Sequence, residues 1–195
     1  VRKPMPNPWK EWIERAQDLG FTEARLFAPD QTVSPEVPKL VFGQGAPNAD
    51  LMIIIEVPKS QEDRLGGPAN DLLTAMIERG LGVPLTSVYI TYLPSSRPPN
   101  SRAPKTETME ACTSALEAQI RSVQPKAILI LGTVALDCLA PGTNDLHQRR
   151  GQWIEVQNIP VLPTYHPSYL LRQPEEKRAA WKDLQALMAH LGWSR

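Results

Sequence analysis

Three short runs do most to limit what this chain can fold into. Leu51-Met-Ile-Ile-Ile-Glu-Val57 and Ala127-Ile-Leu-Ile-Leu131 are apolar almost without interruption, and Val88-Tyr-Ile-Thr-Tyr-Leu93 is β-branched and aromatic. Runs of this length read as strands buried on both faces. Helical periods separate them. Pro68 to Arg79 repeats through Leu72, Leu73, Met76 and Ile77 and stops at Gly80. Thr106 to Val123 repeats through Met109, Cys112, Leu116 and Ile120, with Glu107 and Glu110 in a first turn that suits the helix dipole. A short helix follows at Val134 to Leu139, after Gly132. Trp153 to Val156, a turn at Asn158 and Val161 to Thr164 predict a strand, a hairpin-like turn and a last strand, and Pro174 to Leu191 a closing helix. Strands that alternate with helices call for right-handed crossovers and a covered sheet. The expected class is α/β, three layers (α/β/α) around a central, mainly parallel sheet.

Upstream, Trp9, Trp12, Ile13, Ala16 and Leu19 recur at helical spacing after Pro8, and Gly20 ends the pattern. From Phe27 to Pro38 the sequence is a Pro-punctuated loop. Residues 1–30 therefore read as an N-terminal helical segment, a candidate partner-binding appendage, and 31–195 as one domain. A length of 195 residues with 42% hydrophobic composition suits that reading.

The longest apolar run, Leu51 to Ile55, falls far short of the roughly 20 residues a membrane helix needs. The opening Val-Arg-Lys-Pro-Met-Pro has no apolar core of the secretory kind. A cytoplasmic protein with no membrane partner is expected. Formal charge is zero, 21 basic against 21 acidic residues, which neither requires nor forbids a local basic groove for nucleic acid. Two cysteines, Cys112 and Cys138, supply neither a disulfide framework nor a four-thiolate metal site.

In open α/β sheets, ligands bind beyond the carboxyl ends of the strands. Four segments converge there: Glu56 to Asp63, Pro94 to Arg102, Gly132-Thr, and Tyr165-His-Pro-Ser168. They bring a carboxylate, an imidazole and several cations to one rim. Each piece has a plainer reading. Glu56 can cap the following turn, His166 can serve the turn it sits in, and Arg-Pro-Pro can be only a stiff loop.

The set taken in order resembles the family-4 type of uracil-DNA glycosylases. Val41-Phe-Gly-Gln-Gly45, Ala49 to Pro58 and Glu62-Asp63 are similar to the family's opening. The likeness continues through Val88 to Thr91, Arg97-Pro-Pro99, Leu131-Gly132 and Arg150-Gly-Gln-Trp153, and is strongest from Ile159 to Arg172 and at Lys177 and Trp181 to Leu184. The resemblance implies a uracil-DNA glycosylase-like fold and action on DNA, in which a deaminated base is flipped into a pocket and its N-glycosidic bond hydrolysed. It puts Glu56 at the family's carboxylate position, with His166 steadying charge on the departing base. Pro58, Tyr92 and Ser168 fall at substrate-binding positions. Lys59, Arg64, Arg97, Arg102, Arg150 and Arg172, with Arg149, are candidate DNA-binding cations.

The chain departs from that family in four places. Gly-Glu-Ala-Pro-Gly becomes Ile55-Glu-Val-Pro-Lys59, which replaces two glycines by bulky side chains. The loop that carries a stacking Phe is shortened to Arg64 to Asn70, without an aromatic. Tyr92 stands where an Asn reads the base edge, and one hydroxyl cannot make an amide's paired contact. Ser96 stands at one cluster-cysteine position, nothing between Phe27 and Val41 matches two others, and only Cys112 remains. No cofactor is expected, and in particular no iron–sulfur cluster. Two readings stand side by side. One is a cluster-free glycosylase. The other is a non-catalytic derivative that binds DNA or joins a replication or repair complex through the N-terminal helix. The psi subunit of the DNA polymerase III clamp-loader assembly looks like such a derivative. A monomer or a hetero-complex subunit is expected.

Overall fold

A computed structural model describes residues 43–56, 67–93, 106–140, 142 and 145–193; within 106–115 it gives the backbone and the Thr113 side chain. The expected N-terminal helix, the Pro-rich loop after it and the two rim loops at 57–66 and 94–105 lie outside these residues.

Among the described residues, six strands form one mixed sheet: β1 (Gln44–Gly45), β2 (Leu51–Glu56), β3 (Tyr89–Leu93), β4 (Ala127–Leu131), β5 (Ile154–Val156) and β6 (Ile159–Thr164). Their order is β1-β3-β2-β4-β6-β5. The four inner strands are parallel, and β1 and β5 close the edges antiparallel. The sheet is thus mainly parallel, as the alternation of strands and helices implies. Between the strands lie α1 (Pro68–Ala75), α2 (Thr106–Val123), α3 (Thr133–Leu139) and α4 (Leu146–Arg149), and after the last strand come α5 (Pro167–Arg172) and α6 (Lys177–Leu191).

Strand register assigns the faces. Ile55 pairs with both Tyr92 and Leu131, and Leu131 pairs with Thr164, so Ile55, Tyr92, Leu131 and Thr164 share one face. The Thr164 hydroxyl donates to Asp183 of α6 at 2.6 Å, which puts α6 over that face. The opposite face carries Tyr89 and Thr91, whose hydroxyls donate to the buried Gln119 of α2 at 3.3 and 2.7 Å. Helices on both sides explain why β2 and β4 lack polar alternation. Leu51 to Ile54 and Ala127 to Leu131 are buried throughout. Each such Ile or Leu contributes on the order of 1.5–3 kcal/mol through burial.

Several boundaries move from those the sequence suggests. The strand expected from Val88 starts at Tyr89, the hairpin's first strand at Ile154 and its second at Ile159. Gln157 and Asn158 both have positive φ (52° and 62°), the geometry of a two-residue turn that matches strand twist. The helix from Pro68 does not stop at Gly80. It widens at Met76 into π-helical turns that run to Leu81, and the left-handed Gly82 ends it. The closing helix begins at Lys177, after a 3-10 turn at Pro174–Glu176. α4 and α5 are too short for periodicity to reveal, and their caps form them instead. Asp145 accepts from the His147 backbone N–H at 2.9 Å at the start of α4, and His166 caps α5.

Candidate active site

Parallel strands deliver their carboxyl ends to one edge. Glu56 is the last residue of β2, Gly132 follows β4, and His166 lies two residues past the end of β6. β4 separates the other two strands, so the path between Glu56 and His166 passes over residue 132. Gly132 has φ 103°, a conformation L side chains rarely adopt, and a Cβ there would stand 3.3 Å from His166 Cβ and 3.6 Å from its ring. With no side chain in the way, the His166 imidazole reaches across β4 until Nε2 lies 3.3 Å from the Glu56 carbonyl oxygen. Residues 110 positions apart in the chain thereby share one rim.

The turn after β6 sets which nitrogen of His166 faces that rim. Pro167 at the first helical position holds φ for α5, and the Ser168 backbone N–H donates to His166 Nδ1 at 3.1 Å, with Ser168 Oγ at 2.7 Å from the same nitrogen. A backbone N–H can only donate, so Nδ1 is the bare nitrogen and Nε2 carries the proton. His166 therefore presents a neutral N–H donor at the strand ends. Ser168 acts by fixing this tautomer.

The two residues before His166 are anchored as well. Thr164 donates to Asp183, which also takes the Arg150 guanidinium through Nε at 3.1 Å, while Arg150 Nη2 donates to the Ala179 carbonyl at 2.6 Å. Burial pushes the Asp183 carboxyl up from its ordinary pKa, opposed by the Thr164 and Arg150 bonds. Gly151, at φ 72°, lets the chain pass close by: a Cβ there would lie 2.6 Å from Asp183 Oδ1. Tyr165 lies under the Arg150 guanidinium, 5.3 Å from ring centroid to Cζ, and its hydroxyl is 2.9 Å from His147 Nδ1. Burial, and then the nearby Glu176 carboxylate, push its phenol up to about 12. Asp183, Tyr165 and His147 were not legible as site residues. Asp183 and Tyr165 fall inside the strings that carry the resemblance, but sequence assigns them no partner.

The remaining candidates are placed as follows. Tyr92, on the α6 face of the sheet, accepts from the Gln44 side-chain amide at 3.0 Å, and burial pushes its phenol upward. Its hydroxyl is thus engaged toward the β1 edge. Arg150, expected as a groove cation, spends Nε and Nη2 inside the protein, and its side chain is only 20% exposed. Arg149 and Arg172 are exposed, Arg172 at the end of α5. Pro58, Lys59, Arg64, Arg97 and Arg102 lie outside the described residues.

A four-thiolate cluster of the kind associated with type-4 enzymes does not fit the donors present. This sequence has two cysteines in all, and Cys138 is buried in α3. Among the described residues no helix is long and apolar enough to cross a membrane.

Residues 42–185 match the profile of the Uracil DNA glycosylase superfamily. The chain is 33% identical over 159 residues to a type-4 uracil-DNA glycosylase of Sulfurisphaera tokodaii, a match covering 75% of this chain and 72% of that protein. It is 35% identical over 154 residues to the type-4 uracil-DNA glycosylase of Thermotoga maritima, covering 75% of this chain and 80% of the relative. A DNA polymerase of Bacillus phage SP01 is 29% identical over 159 residues, which span 79% of this chain and 17% of the polymerase. With residues 42–185 matching that family and a mixed α/β sheet beneath them, this chain belongs to the uracil DNA glycosylase superfamily.

Proposed function

We propose that this protein binds DNA and hydrolyses the N-glycosidic bond of a flipped, deaminated base, without a metal cluster. The observation that carries the reading is the approach of His166 Nε2 to the end of β2, 3.3 Å from the Glu56 carbonyl, with the tautomer fixed by Ser168. Cleavage sends the bonding electron pair to the base and leaves positive charge on the sugar. The His166 N–H meets the developing negative charge on the base, and the Glu56 carboxylate orients water toward the sugar and takes its proton. Pro58 takes part in substrate binding. Lys59, Arg64, Arg97, Arg102 and Arg172 bind phosphates, while Arg150 braces the site from behind. Tyr92, in place of an amide, weakens selection for uracil over other deaminated bases. Such a role suits a cytoplasmic protein.

The test is single-turnover release of free base from single- and double-stranded DNA containing uracil, hypoxanthine or xanthine. Glu56→Gln and His166→Ala are each expected to lower the rate at least about 100-fold, with DNA affinity nearly unchanged. Equal rates in the wild type and both variants would overturn the assignment.

The Tyr92–Gln44 bond and the phage polymerase relative favour a second reading: a non-catalytic replication or repair subunit that contacts its partner through residues 1–30. DNA binding with no base released from any substrate supports it, provided that removal of residues 1–30 abolishes capture of replication proteins and leaves the domain folded.

A further inference from the structure

The cap formed by Ser168 fixes which nitrogen of His166 is protonated and ties the ring to the start of α5, but not where that turn as a whole points. That direction depends on the backbone leaving β6, and Tyr165 is the residue between strand and cap. The residue is 4% exposed and its ring is enclosed on several sides. The Arg150 guanidinium covers one face of the ring. Tyr169 of α5 packs against it at 4.8 Å between centroids, and His147 of α4 meets it edge-on at 5.3 Å. The Tyr165 hydroxyl shares a 2.9 Å hydrogen bond with His147 Nδ1. Tyr165 thus ties together the strand that ends before His166, the helix that His166 caps, and a third segment, α4.

We propose that Tyr165, braced by the exposed His147, is a positioning residue that aims the His166 Nε2–H at the strand ends. The ring packing resists displacement of the turn. The hydroxyl bond to His147 fixes how far the ring slides along α4, because it is the polar end of the ring that is held. An N–H donor must lie along the path of developing charge, and a displacement of about 1 Å costs on the order of 100-fold in rate. A partial shift of the turn therefore changes chemistry before it changes stability. The catalytic consequence rests on the role proposed for His166; the orientational one does not.

Two variants separate positioning from plain packing. Tyr165→Phe keeps the ring and removes the hydroxyl. His147→Ala removes the brace at an exposed site, where loss of folding is not at issue. In both, the His166 imidazole is followed by nitrogen-15 NMR, together with exchange of its Nε2 proton with water. The expected result is native circular dichroism, a His166 signal that departs from the single Nε2–H form, and exchange faster by about 10-fold. Single-turnover base release is expected to fall about 10-fold, with DNA affinity changed less than about twofold. Wild-type His166 signals and exchange in both variants would overturn the proposal, whatever the rates. If the wild type releases no base, the proposed function fails, and the NMR comparison alone decides whether Tyr165 positions His166.

Discussion

The arginine at position 150 shows how one side chain can look like a ligand-binding cation and act as a brace. Two adjacent arginines before Gly151 read naturally as a phosphate contact, yet Arg150 folds inward onto Asp183 while Arg149 remains exposed. A buried carboxylate without a partner is costly, so Arg150→Met should destabilise the protein by about 3 kcal/mol at pH 7, measured by urea unfolding. The sign of its pH dependence follows from Asp183. The folded-state pKa of that carboxyl is already raised by burial, and loss of Arg150 removes one of the influences that lower it. A carboxyl with a raised pKa favours the folded state at low pH and loses that contribution as pH rises through its folded value. The deficit of Arg150→Met should therefore shrink as pH falls through the folded-state pKa of Asp183. A deficit that stays constant or grows on acidification contradicts this account.

At the scale of elements, the short helices α4 and α5 carry the site, and side-chain caps rather than periodicity create them. α5 exists because His166 caps it and Pro167 opens it, so the residue that presents the N–H donor also starts the helix that orients it. α3 is less well adapted. Asp137, in its last turn, has a buried Oδ1 with no hydrogen-bond partner among the described residues, and burial raises its pKa. A carboxylate near a helix C-terminus also opposes the dipole. Asp137→Asn should stabilise the protein by about 1 kcal/mol at pH 7, read as a higher Tm. The benefit should fade as pH drops through the folded pKa of Asp137, since protonation relieves the same cost in the wild type. No gain at neutral pH would mean that the carboxylate has a favourable role the fold does not explain.

For the whole molecule, zero formal charge means that any affinity for DNA comes from local arrangement of cations. If Lys59, Arg64, Arg97, Arg102 and Arg172 each meet a phosphate, log Kd should rise with log salt at a slope near 4 or 5 on duplex DNA. Arg172→Gln should lower that slope by about one, whereas Arg150→Met should leave it unchanged because Arg150 is already neutralised by Asp183. Fluorescence anisotropy across a salt series measures both. A slope near zero would remove the DNA-binding role from these residues.

The sequence by itself determined the layer architecture and the strand order's parallel core. Runs such as Leu51 to Ile55 and Ala127 to Leu131 carry no polar alternation, and only a sheet covered on both faces tolerates that. It also put Glu56 and His166 at strand ends, because a strand's end is a local property of the chain. Tertiary structure alone decided what those ends do to one another. The passage of His166 over Gly132, the diversion of Tyr92 to Gln44, the commitment of Arg150 to Asp183 and the bracing of Tyr165 by His147 all join residues distant in sequence. Local pattern encodes which face a residue occupies. It does not encode which side chain from another element arrives there, since that depends on strand register and helix packing across the whole sheet.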